Sequence, residues 1–84
     1  MKRNEWYWKQ ERLFVLTLDG TIKYFDIDIV QKGEINMNKQ TRCVRDSDKH
    51  FELINGDRTY YLFSEKAGVV DQWITDINKV VAAL

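Results

Sequence analysis

Proline is absent from the chain, and cysteine and histidine occur once each. Without proline, no position forbids a ladder or helical hydrogen bond. Element boundaries must then come from glycine, from polar turn residues or from a change in hydrophobic period. The lone Cys43 cannot close an intramolecular disulfide, and with a single histidine it cannot assemble a zinc site, so no metal or other cofactor is expected. This cysteine usage fits a reducing compartment. An excess of charge is missing as well: 13 Lys and Arg face 13 Asp and Glu, for a formal net charge of zero. No global pull toward nucleic acid or membrane follows, and any anion site must arise from local clustering. No apolar run approaches bilayer length, and the opening Met1-Lys2-Arg3-Asn4-Glu5 is too polar for a signal peptide. Repeats and linkers are also lacking, so the 84 residues are expected to form one soluble domain, 1–84, with a modest core.

The residues present describe strands followed by one helix. Leu13, Phe14, Val15 and Leu16 form a nearly unbroken apolar run within Trp8–Leu18 and predict a buried strand. Asp19-Gly20 marks a hairpin, read as a type I′ turn with positive φ at both central residues, and Ile22-Lys23-Tyr24-Phe25 is the return strand. From Gly33 to Met37, Ile35 and Met37 share one face, Glu34 and Asn36 the other. Arg42-Cys43-Val44-Arg45 is a short strand. Phe51-Glu52-Leu53 alternates, Asn55-Gly56 supplies a second hairpin turn, and Tyr60-Tyr61-Leu62-Phe63 is rich in strand formers. Alternation places Tyr60 and Tyr61 on opposite faces.

The period changes after Ser64. Val70, Trp73, Ile74, Ile77, Val80, Val81 and Leu84 recur at spacings of three and four, the stripe of an amphipathic helix within 64–84. Ser64 is the expected N-cap, although Gly68 favours a later start. Trp73 and Ile77 are expected to be buried against the strands. The fold class is therefore mostly β with one C-terminal helix, a meander over 8–63 closed by the helix.

Enzyme chemistry finds no support. His50 follows Asp46, Ser47 and Asp48 in a polar loop, whereas a nucleophile and its base need a rigid, partly desolvated setting. There is no Gly-rich phosphate loop, and a chain of zero net charge offers no basic surface for RNA. No enzyme activity and no nucleic-acid partner are expected.

Taken in order, the motifs resemble a known family. Trp8-Lys9-Gln10-Glu11-Arg12-Leu13-Phe14-Val15-Leu16 looks like the second strand of pleckstrin-homology (PH) domains. Ile22-Lys23-Tyr24-Phe25 is similar to their third strand, and Gln72-Trp73-Ile74 with Ile77 to their closing helix. Lys32-Gly33-Glu34-Ile35 and Arg58-Thr59-Tyr60-Tyr61-Leu62 further resemble the PH domain of phosphoinositide-dependent protein kinases. The resemblance spans Trp8–Val81 and implies a partly open barrel of antiparallel strands capped by the helix. The Gly-x-Leu-x-Lys strand that usually opens such domains has no counterpart. The first strand is therefore expected to be short or missing, with residues 1–7 irregular or vestigial. An open edge there would invite pairing with another chain, and Trp6 and Tyr7 could contribute to such self-association.

By resemblance, the function implied is capture of a phosphoinositide or inositol phosphate headgroup, with peripheral membrane contact. The ligands implied are Arg12 as central phosphate partner, Tyr24 as hydroxyl donor, and Lys32 and Arg58 as further cations, with Lys9 auxiliary. The resemblance also implies a cytoplasmic signalling module recruited to the plasma membrane, as the regulatory domain of a protein kinase. Gln10 departs from the family pattern, which places a second basic residue there. The alternative is a PH-like protein-interaction module with weak or no lipid binding.

Overall fold

The computed structural model describes residues 2–5, 8–26, 28–66 and 68–84, with the backbone alone described over 2–5 and 8–11. Among the described residues, eight strands precede one helix. They are β1 (Lys2–Glu5), β2 (Trp8–Glu11), β3 (Leu13–Leu16), β4 (Thr21–Phe25), β5 (Gln31–Asn36), β6 (Arg42–Arg45), β7 (His50–Asn55), β8 (Arg58–Phe63) and α1 (Val69–Ala82). All pairings are antiparallel. They build a five-stranded sheet, β2-β1-β8-β7-β6, and a three-stranded sheet, β3-β4-β5. The partly open barrel expected from the resemblance is thus realised as two open sheets. The chain crosses between them at Arg12, which belongs to neither strand on its two sides, and again over residues 37–41.

The N-terminal residues supply a short first strand, as expected. β1 has four residues and lies between β2 and β8, pairing Lys2 with both Glu11 and Phe63. Trp6 and Tyr7, expected to lie exposed at an open edge, fall outside the described residues. The edges of the larger sheet are β2 and β6, those of the smaller β3 and β5.

Being an edge strand changes the reading of Leu13–Leu16. Phe14 is buried and packs inward, whereas Leu13 is 51% and Val15 41% exposed. The run was expected to be buried on both faces, yet only its inner face meets the core. The turn that follows also differs from type I′. The Thr17 N–H donates to Thr21 O (2.9 Å) and the Gly20 N–H to Thr17 O (3.3 Å), which makes a three-residue loop. Gly20 alone takes positive φ, at 97°, and Asp19 does not; this is the type I turn with a left-handed glycine that three-residue hairpins favour. At the second hairpin Asn55 pairs with Arg58, so Gly56 and Asp57 form the loop. The Asn55 side chain instead donates to Asn36 O (3.0 Å) and accepts from the Thr41 hydroxyl (2.7 Å), joining the two sheets.

The core draws on three layers. Phe14, Ile22, Ile35 and Met37 come from the smaller sheet and its exit, Phe51, Leu53, Tyr60 and Leu62 from the larger, and Val70, Ile77 and Val80 from the helix. Tyr60 is buried and Tyr61 half exposed, as alternation requires. The helix starts at Val69 because Gly68, at φ 87°, holds the left-handed conformation that a helix interior forbids. Ser64 therefore does not cap it. Its hydroxyl accepts from the Lys66 N–H (3.3 Å), and its own N–H donates to Lys49 O (2.8 Å). Arg45 Nε donates to the Asp71 carboxylate at 2.8 Å, tying the first helical turn to β6. At the other end, the Leu84 side chain packs on Gly20. Ile77 is fully buried, but Trp73 is only half-buried, standing edge-on to Phe14 at 6.5 Å and 85°.

Candidate functional site

The site begins with the register of the smaller sheet. Leu13 pairs with Phe25 and Phe25 with Gln31, so the start of β3, the end of β4 and the start of β5 form one rim. Arg12 lies at this rim immediately before β3, and its side chain is half-buried. Tyr24 follows one residue from the end of β4. Its ring faces Phe14 at 5.7 Å and crosses Gly33, its direct cross-strand partner. A β-carbon at position 33 would overlap the Tyr24 hydroxyl. Glycine at 33 is thus what lets the phenol lie flat over β5, the close approach for which strand glycines are kept.

Lys32 owes its placement to a β-bulge. Tyr24 pairs with Gly33 but Phe25 with Gln31, which leaves Lys32 as the extra residue between them. A bulge re-aims the side chain it frees, and here Lys32 Nζ reaches the Asp26 carboxylate at 3.4 Å. Asp26 is the rim residue that sequence reading missed. Its Oδ1 accepts from the backbone N–H groups of Asp28 (2.9 Å) and Val30 (3.0 Å). The Val30 amide is the main reason its carboxyl lies below the ordinary aspartate range, with Lys32 and the Asp28 amide acting in the same direction. The available signal was an aspartate ahead of a short turn, where Asx motifs form.

Arg58 takes a different position. It opens β8 beside the Gly56-Asp57 loop, with its guanidinium 4.6 Å from the centre of the Tyr60 ring. Its cross-strand partner Asn55 is bonded to Asn36, at the far end of β5 from Lys32. Arg12, Tyr24 and Lys32 therefore share one rim, and Arg58 neighbours the opposite end of that sheet. Lys9 lies on β2; its side chain is outside the described residues.

Other reactive groups are placed as follows. His50 opens β7, exposed, with Nδ1 3.1 Å from the Ser47 hydroxyl and its ring stacked on Phe63 at 5.6 Å. Burial pushes the Cys43 thiol up to about 11, so it remains protonated and unreactive near neutral pH. Among the described residues no group of three or more His, Cys, Asp or Glu could hold a metal ion, and no helix is long and apolar enough to cross a membrane. The family comparison agrees with the two sheets and the closing helix. The model of the PH domain matches residues 1–84, and the chain belongs to the PH-domain family.

Proposed function

We propose that this PH domain is a membrane-targeting module that holds a phosphorylated inositol headgroup at the rim formed by Arg12, Tyr24 and Lys32. Domains of this family are generally non-catalytic and bind phosphoinositides or proteins. The observation that carries the lipid reading is the register that sets two cations and a phenol on adjacent strand ends. Adjacent strands lie about 4.8 Å apart, so the three side chains come from backbone close enough to reach one phosphorylated ring. A guanidinium supplies a bidentate fork and an ammonium a compact charge, the chemistry a phosphate takes. The Lys32–Asp26 pair is no obstacle. Its side chains are 45% and 20% exposed, and a solvent-screened pair of this kind contributes little, so a multivalent phosphate outcompetes it. Arg58 and Lys9 are auxiliary in this reading. The resemblance of Lys32-Gly33-Glu34-Ile35 and Arg58-Thr59-Tyr60-Tyr61-Leu62 to phosphoinositide-dependent kinases supports a cytoplasmic regulatory module drawn to the plasma membrane.

Arg12→Ala tests the rim. Loss of one charge-assisted contact should weaken binding of soluble inositol phosphates by about 1.5–3 kcal/mol, with the fold intact. Titration calorimetry reads this directly. Equal affinity in the variant, or no binding by the parent, refutes the rim as a headgroup site.

One observation favours the alternative, a protein-interaction module. Among the described residues β3 pairs only with β4, and Leu13 and Val15 face outward from it exposed. A strand edge with apolar side chains and neither lysine nor proline is a template for strand addition. On this reading the chain self-associates through β3, and Val15→Lys should shift it toward monomer in sedimentation velocity across concentrations. A parent that stays monomeric at high concentration excludes it.

A further inference from the structure

The hairpin between β7 and β8 carries a reactive pair. The chain has five asparagines, and Asn55 alone precedes a glycine. In an Asn-Gly step the backbone nitrogen of the glycine attacks the carbon of the asparagine side-chain amide. A C–N bond forms, the amide nitrogen leaves as ammonia, and a cyclic imide results. Water then opens the imide at one of its two carbonyls, giving aspartate or isoaspartate. This chemistry is one source of the thermal lability of asparagine. Glycine shields its nitrogen least, having no β-carbon. Gly56 is exposed, and a β-carbon built there would meet no atom within 4 Å. The peptide is therefore open to water.

The attack requires the Asn55 side chain to fold back onto its own backbone, and the fold holds it elsewhere. Nδ2 donates to Asn36 O at 3.0 Å, and Oδ1 accepts from the Thr41 hydroxyl at 2.7 Å. Thr41 is itself 4% exposed, and its hydroxyl accepts from the Asn38 N–H at 2.9 Å. The amide is thus pinned to the crossing between the two sheets. We propose that Asn55 is a site of spontaneous deamidation gated by these two hydrogen bonds, reacting when the hairpin and the crossing come apart. The product does not restore the tie. A carboxylate has no N–H for the Asn36 carbonyl and sets oxygen against oxygen there. It is drawn instead to Arg58, its cross-strand partner. Isoaspartate also adds a carbon to the main chain, against the pairing of residues 55 and 58. Each event loosens the join between the sheets. This inference is independent of the headgroup reading.

The test follows the full chain at neutral pH and physiological temperature, folded and unfolded in guanidinium chloride. Peptide mapping by mass spectrometry locates the change from amide to acid. Protection by a closed native unit should make the folded parent react at Asn55 about tenfold or more slowly than the unfolded chain. Thr41→Val removes one gating bond. It should speed the reaction in the folded chain by about two- to tenfold and leave the unfolded rate unchanged. Gly56 has φ 63°, which aspartate tolerates better than most residues, so Gly56→Asp should fold and should slow the reaction in both states. Asn55→Asp, the direct product, should lower the thermal midpoint by a few degrees. Equal rates in the folded and unfolded parent, or no acid formed at position 55 in either, overturn the proposal without any variant. A folded Thr41→Val chain reacting at the parent's rate overturns the gate. A midpoint in Asn55→Asp at or above the parent's overturns the loosening.

Discussion

Phe51→Ala should remove a large share of the protein's stability. Phe51 is 1% exposed and lies on β7, one strand in from the edge of the larger sheet, between Arg45 on β6 and Leu62 on β8. Its ring belongs to the cluster that joins both sheets to the helix. Removing a buried phenylalanine ring costs about 3–5 kcal/mol, part of it lost transfer energy and part the cavity left behind. A domain of this length has a total stability of roughly 4–13 kcal/mol, so the substitution removes a large share of it. At about 4–8 °C per kcal/mol for a domain of this size, the thermal midpoint should fall by well over 10 °C. Circular dichroism on heating measures this. The exposed Tyr61, on the neighbouring strand, is the control, and Tyr61→Ala should shift the midpoint by only a few degrees. A shift of a degree or two in Phe51→Ala would mean that the two sheets do not share one core.

The second large effect is expected at Ile77, and its mode differs. Ile77 is fully buried on the underside of α1, in one stripe with Val70 and Val80. Its truncation to alanine should cost about 2–5 kcal/mol. The loss falls on the contact between helix and sheets. Apart from packing, the helix is tied to the strands through Arg45 and Asp71, an exposed pair worth at most about 1 kcal/mol. Hydrogen exchange should therefore show α1 losing protection before β7 and β8 do, because local units open at their own free energies. Simultaneous loss of protection in helix and strands, or no loss at all, would contradict this.

How much was legible in the sequence depended on how local the cause was. The helix stripe announced itself because its period is intrinsic to the chain; Gly68 signalled the later start that the structure shows, and only the capping role of Ser64 fails. β4, β7 and β8 were readable from alternation and turn residues. The exposure of Leu13 and Val15 was not, since an apolar run reads the same whether or not a strand covers its outer face. β1 was unreadable for a related reason: Lys2–Glu5 is polar, and its strand conformation comes from β2 and β8, the latter most of the chain away. The rim was half legible. Arg12, Tyr24 and Lys32 could be named from the motifs they resemble, yet the bulge that frees Lys32 and the Asp26 carboxylate that receives it are products of register. Arg58 was named with them, but position along a strand does not say which end of the neighbouring sheet it will meet.

The placement of β1 between β2 and β8 has a consequence for synthesis. Lys2 and its partner Phe63 are about sixty residues apart, so the first strand leaves the ribosome well before the last. At about 5–20 residues per second, that interval is roughly 3–12 s. A hairpin closes in microseconds, so β1 and β2 can pair almost at once, but two strands alone are marginal in water. The nascent chain must therefore carry a growing set of incomplete sheets until its final strand emerges. Any chaperone that attends this protein would meet it in that window, with the inner faces of Phe14, Ile22 and Phe51 still uncovered.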